Sequence, residues 1–176
     1  MKKIQIIIIL LSIVFIIPTA CKDKLPRPEI DRPANLVEPE DHNFSFENPP
    51  VFKKEGELKF IRKGADTLIS KIDVEIVDND FDRALGLMFR PEMKENRGML
   101  FLFENEVEQA FWMLNTIISL DIIYVNSKGE IVKIYKNTKT KSQESLPSGA
   151  AAIHVVEVNA DYCEKYGIEE GDFVEY

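Results

Sequence analysis

The sequence predicts a mainly β fold, a compact antiparallel β sandwich or barrel carrying two short α-helices. Three observations lead there. Apolar residues recur with period two through most of the segment 57–176. Helical spacing replaces that period only briefly, around 81–88 and 160–167. Turn-forming residues break the pattern at short intervals, as many short strands require. With 176 residues, 45% of them hydrophobic, the chain can bury one ordinary core.

The elements follow in order. Leu58 and Phe60 alternate with polar residues, and Lys63-Gly64-Ala65-Asp66 supplies turn chemistry. Leu68, Ser70, Ile72, Val74 and Ile76 then keep one parity against Lys71, Asp73 and Glu75. This predicts a hairpin with one wet face. At Asp78-Asn79-Asp80 the period changes: Phe81, Ala84, Leu85 and Met88 are spaced i, i+3, i+4, i+7 behind a capping residue, and the helix ends before Arg90-Pro91. Strands are expected at 98–103, 110–113, 120–126 and 131–137, the last two joined by Asn126-Ser127-Lys128-Gly129. Residues 150–158 read as another strand. A short helix follows, with Asn159 as its cap and Gly167 as its terminator, and 173–176 read as a final strand.

Ahead of this domain, Met1, Lys2 and Lys3 precede a 14-residue apolar core, Ile4 to Ile17, broken only by Gln5 and Ser12. A spanning helix needs about 20 apolar residues, so the core reads as a signal-peptide h-region. Pro18-Thr19-Ala20-Cys21 resembles the bacterial lipobox, although Pro18 stands where an aliphatic residue is usual. Residues 1–20 are therefore expected to be a lipoprotein signal peptide and Cys21 the lipidated mature N-terminus. The expected location is the bacterial cell envelope, with the protein held to the membrane by its N-terminal lipid and facing the periplasm or the surface. Cys163 is then the only remaining thiol, which leaves no partner for an intramolecular disulfide. Residues 21–56 hold six of the nine prolines among many charges and read as a tether, with Phe44, Phe46, Val51 and Phe52 as its apolar cluster. The single globular domain is 57–176.

The chain carries 22 basic and 30 acidic side chains, and loss of the leader would make it more acidic still. Such a chain has no electrostatic footprint for nucleic acid, and that class of partner is set aside. There is no G-x-S-x-G elbow, Walker loop or Rossmann fingerprint. His42 and His154 form no spaced cluster with cysteines or carboxylates, so no metal or other cofactor is expected. Met88, Met99 and Met113 are soft enough for Cu(I), but core spacing explains all three.

The stretch FWMLNTIISLD, 111–121, sets Asn115, Thr116, Ser119 and Asp121 inside an apolar run. With ALGLMFR (84–90), RGMLFLF (97–103), FWMLNTIISLDIIYV (111–125) and the closing IHVVEV, YGI and GD, it resembles the family called domain of unknown function 192. Ser119 replaces the proline usual in that family. The resemblance covers about 100 residues from Ile72 onward. It implies a small, mostly β domain with no firmly assigned activity.

Residue by residue, Trp112 fits either the core or a pocket wall that stacks a ligand. Asn115 and Thr116 either border a cavity or make a turn satisfied by its own backbone. Asp121 needs a partner, and Arg83, Arg90 or Arg97 could supply it. The favoured reading is a binding or accessory domain with a small pocket edged by Arg90, Trp112, Asn115, Thr116 and Asp121, taking a small molecule or an envelope protein. One alternative is a small envelope hydrolase using Asp121 with an arginine and a second carboxylate, Glu157 or Asp172. The other is a structural interaction module. The absence of catalytic signatures favours a non-enzymatic role.

Overall fold

The computed structural model describes residues 44–176. The expected signal peptide, Cys21 and the tether up to residue 43 lie outside the described residues.

Seven strands form one sheet: β1 (Gly56–Ile61), β2 (Leu68–Val77), β3 (Arg97–Phe111), β4 (Leu120–Val125), β5 (Ile131–Tyr135), β6 (Leu146–Asn159) and β7 (Phe173–Glu175). Their spatial order is β5-β4-β6-β3-β2-β1-β7. An isolated bridge, Glu130 to Phe173, brings the two ends of the sheet together, so the sheet nearly closes into a barrel. The mainly β class with two short helices is the one that the period-two pattern predicts.

All pairings are antiparallel except one. β2 and β3 run parallel, with Glu75 opposite Met99, and the connection 78–96 makes the crossover that a parallel pair requires. It carries the first helix, α1 (Asp80–Leu85), whose N-cap Asn79 accepts the Asp82 N–H. The segment expected as a strand at 98–103 and the first two residues of the one expected at 110–113 belong to one long β3, which ends at Phe111 and whose register against β6 shifts between Leu102 and Val107 and between Glu108 and Ala110. Gly98 lets β3 and β6 approach closely, since a Cβ there would meet the Glu157 carbonyl oxygen at 2.7 Å. The second helix, α2 (Tyr162–Tyr166), ends at Gly167 as expected. It starts after Asp161, not Asn159, whose side chain instead donates to the Met93 carbonyl.

Two apolar clusters sit on opposite faces of the sheet. The barrel interior holds Leu58, Phe60, Ile72, Leu100, Ile123 and Val156 and is capped by Tyr162 and Cys163 of α2. The outer face holds Met99, Phe101, Ile122, Tyr124 and Val155, covered by Leu87 and Met93 of the crossover and by Met113 and Ile118 of the 112–119 loop. β4 is consequently buried at all six positions, which is why LDIIYV does not alternate. The β1–β2 hairpin likewise lacks a fully wet face, because Glu75 and Val77 are buried under the crossover.

Residues 44–55 lie against the domain and belong to the same compact unit as its strands. The Glu55 N–H donates to the Val74 carbonyl, and its carboxylate accepts the Ile76 N–H. Phe46 meets Phe89 edge-on at 5.1 Å, and Arg97 stacks on Phe52 at 4.1 Å.

Candidate functional site

The outer face is not completely filled. Between α1 and the end of β3 lies a cleft of about 240 Å³ walled by Leu85, Gly86, Met88, Phe101, Phe103 and Phe111. Local sequence explains its shape. α1 stops at Gly86, whose φ of 48° suits glycine, and a Cβ there would touch the Phe101 ring at 3.4 Å. Phe111 meets Phe101 and Phe103 edge-on, with ring centres 4.9 and 6.4 Å apart. Trp112, 52% exposed, stands at the edge of the cleft as a wall residue and is not part of the core.

The polar groups of the cleft are few. Arg83 donates to the Leu102 carbonyl at 2.9 Å and to Asp80 at 2.7 Å, with its guanidinium over the Phe103 ring. Thr116 is buried and its hydroxyl bonds the Leu114 carbonyl. Gln109 donates to the Ala152 carbonyl. Glu157 differs from these. It is buried, and its Oε2 has no hydrogen-bond partner. Desolvation pushes its carboxyl up to about 8, against the opposing pull of Arg90, so at pH 7 it is a neutral acid.

Arg90 is engaged elsewhere. It grips Glu75 through two bonds, Nη1 to Oε2 at 2.5 Å and Nη2 to Oε1 at 3.0 Å, and both side chains are buried. The pair lines an adjoining cleft of about 220 Å³, which Pro50, Val51, Lys53 and Glu55 of the docked segment also line.

Two expected site residues serve the fold. Asn115 occupies the left-handed region at φ 54°, its carbonyl accepts the Phe89 N–H, and its amide reaches the Met88 sulfur at 4.0 Å. With Thr116, whose N–H donates to the Met113 carbonyl, it forms the turn satisfied by its own backbone. Asp121 is not paired with any arginine. One carboxylate oxygen accepts the Asn137 N–H and the other the Cys163 N–H, both at 2.8 Å. It aligns with Val158 of the barrel interior, whereas Glu157 aligns with Ile122 on the outer face. The two carboxylates therefore cannot act together. Asp172 cannot join either of them, since it is held by Arg62 and the Lys63 N–H.

Of the five expected residues the structure thus brings Trp112 and Thr116 to one cleft, sets Arg90 beside it and Asn115 behind it, and puts Asp121 on the opposite face. Glu157, Arg83 and Gln109 are the polar residues that the sequence did not assign to the pocket. The signal for Glu157 was its parity, since it shares the Val155 face in the strand IHVVEV.

The motifs that build this cleft are also those that place the chain among known proteins. A family model for DUF192, described as uncharacterized ACR, matches residues 61–176. The chain belongs to DUF192. Its fold is similar to that of a Sinorhizobium meliloti 1021 protein named as a candidate transcription regulator, with 29% identity and a TM-score of 0.64 over 68% of this chain and 91% of that one. It is also similar to a protein of unknown function from Novosphingobium aromaticivorans DSM 12444, with 31% identity and a TM-score of 0.64 over 68% of this chain and 84% of that one. No curated protein matches. The DUF192 segment includes every residue named in the cleft.

Proposed function

We propose that this DUF192 chain is a lipid-anchored binding domain of the bacterial cell envelope, and that its outer-face cleft holds a small, largely apolar molecule. The observation that carries the reading is the cleft itself: aromatic walls around one buried carboxyl with an uncommitted oxygen. Concave, mostly apolar sites with a few convergent polar groups are the usual form of small-molecule sites. A dry cavity of roughly 150 Å³ is enough for benzene, so a cleft of about 240 Å³ accommodates a substituted ring. The leader ending in Pro18-Thr19-Ala20-Cys21 supports the anchor.

The hydrolase alternative built on Asp121 loses its footing, because that carboxylate lies on the wrong face and is occupied by two backbone N–H groups. A role in transcription, which the name of one similar structure suggests for that protein, does not transfer easily to a chain of net charge -8.

The test uses Trp112, the only tryptophan. In the mature chain carrying Cys21→Ser, ethylbenzene should alter Trp112 fluorescence saturably, and Ala84→Phe, which adds a ring at the cleft wall, should abolish the response. A linear, non-saturating response to ethylbenzene that Ala84→Phe leaves intact would overturn the reading.

A further inference from the structure

We infer that the cleft selects an uncharged, ring-bearing ligand with a hydrogen-bond acceptor, an aryl ketone or amide in class, whose oxygen is bound by the O–H of Glu157. This rests on the binding reading above and specifies the ligand for the same site.

The geometry narrows the class by elimination. The walls are aromatic and aliphatic, which calls for a ring. Among the polar groups, Arg83 is committed to Leu102 and Asp80, Thr116 to Leu114 and Gln109 to Ala152. Glu157 is left as the group with unmet hydrogen-bonding capacity. As a neutral acid it is a donor, and a carbonyl oxygen is the complement of a donor.

Charge also decides against the other classes. Arg83 lines the cleft and Arg90 lies close enough to act on Glu157, so a cationic ligand would meet like charge and find no free carboxylate to pair with. An anionic ligand would bring a full charge into a largely apolar site whose neighbouring guanidiniums are already paired with Asp80 and Glu75, and burying an ion costs several kcal/mol even after relaxation. A neutral donor and acceptor pair avoids both.

Binding should then follow the Glu157 proton. The groups facing it are Glu75 from β2, Arg90 from the crossover, Arg83 from α1, and Tyr124 and Tyr135 from β4 and β5, while β3 presents Met99. Arginines do not deprotonate in proteins, and burial raises the Tyr124 phenol above its ordinary range. His154 points to the opposite face from Glu157, with Val156 and Val158. With the Glu157 carboxyl titrating at about 8, the donor is present at pH 6.5 and largely gone at pH 9.

The experiment compares three probes of similar size on the Cys21→Ser mature chain, by calorimetry and Trp112 fluorescence at pH 6.5 and pH 9. They are acetophenone with an acceptor, ethylbenzene without one, and benzylamine as a cation. Acetophenone should bind about tenfold more tightly than ethylbenzene at pH 6.5, the value of one net hydrogen bond. That preference should vanish at pH 9 in the wild-type sequence and persist at both pH values in Glu157→Gln, whose amide donates without titrating. Equal, pH-independent binding of acetophenone and ethylbenzene would overturn the inference and leave the cleft reading standing, as would tighter binding of benzylamine. Binding of none of the three would remove the cleft reading as well.

Discussion

Glu75 and Glu157 stand in one row across the sheet, each opposite Met99 on the strand between them, yet Arg90 grips only Glu75. Two carboxyl groups on one buried face thus have different partners. Glu75 is held by a bidentate guanidinium, and Glu157 keeps its proton because burial outweighs the pull of the same arginine.

This asymmetry predicts a pH dependence of stability. Unfolded, Glu157 titrates near 4.5, and folded near 8. Between those values the unfolded chain has released a proton that the folded chain retains. Stability therefore falls as pH rises through that window, by roughly 1.4 kcal/mol per pH unit, and levels off above it. Glu157→Gln removes this term. Urea melts from pH 4 to 9 should show the variant gaining on wild type up to about pH 8 and tracking it thereafter; parallel profiles would exclude a buried neutral acid.

Arg90 was expected at a ligand site, and the structure makes it a structural ion-pair partner. Arg90→Met strands the Glu75 carboxylate and should cost about 3 to 5 kcal/mol. Replacing both Arg90 and Glu75 with apolar residues should recover much of that loss. A single-variant loss under 1 kcal/mol in denaturant titrations would contradict the buried pair.

Asp121→Asn presents an NH₂ group to one of two backbone N–H donors, so it should cost about 1 to 3 kcal/mol. Probe binding in the cleft should be unchanged wherever the variant remains folded. A variant as stable as wild type but unable to bind ethylbenzene would return Asp121 to the site.

The docked segment predicts a step in a truncation series. Removing residues 22–43 should leave Tm unchanged. Extending the deletion through residue 55 removes the Phe46, Phe52 and Glu55 contacts and should lower Tm by about 5 °C or more, near 1 to 2 kcal/mol for a domain of this size. A scanning calorimetry trace identical for both deletions would show those contacts to be idle.

The proposed anchor predicts that the full chain partitions into membranes through a diacylated Cys21, because one acyl chain binds only marginally. Cys21→Ser should release the protein or stall its processing. Wild-type protein found wholly in the soluble fraction, with an unmodified N-terminus by mass spectrometry, would sink the anchor.

The fold class was readable because period-two runs such as Leu58, Phe60 and Ile72, Val74 face one interior. The parallel β2–β3 pair was not, since residues 78–96 show only a six-residue helix and nothing in periodicity distinguishes a crossover from a loop. The partner of Asp121 was hidden for a different reason. Its carboxylate is satisfied by backbone N–H groups of Asn137 and Cys163, which every non-proline residue has and no sequence pattern marks. The apolar run interrupted by short polar side chains marked Trp112 and Thr116 for attention, but it left the core and the wall open for Trp112, and a turn and a cavity border open for Thr116. Glu157 was visible as a charge at the parity of Val155, the outer face of the sheet, but its significance depends on the lids that bury it.

The meeting of Glu130 with Phe173 bears on how the protein behaves when copies crowd together. The outermost strands of an open sheet present free N–H and C=O groups, a template for pairing with a neighbouring chain. Here the Ile131 N–H is given to the Asp172 carbonyl, the Val174 N–H to Gly129 and the Ile134 N–H to the Glu170 carboxylate. β5 and β7 thus use their edge donors on their own chain, and the sheet offers little for a second molecule to extend.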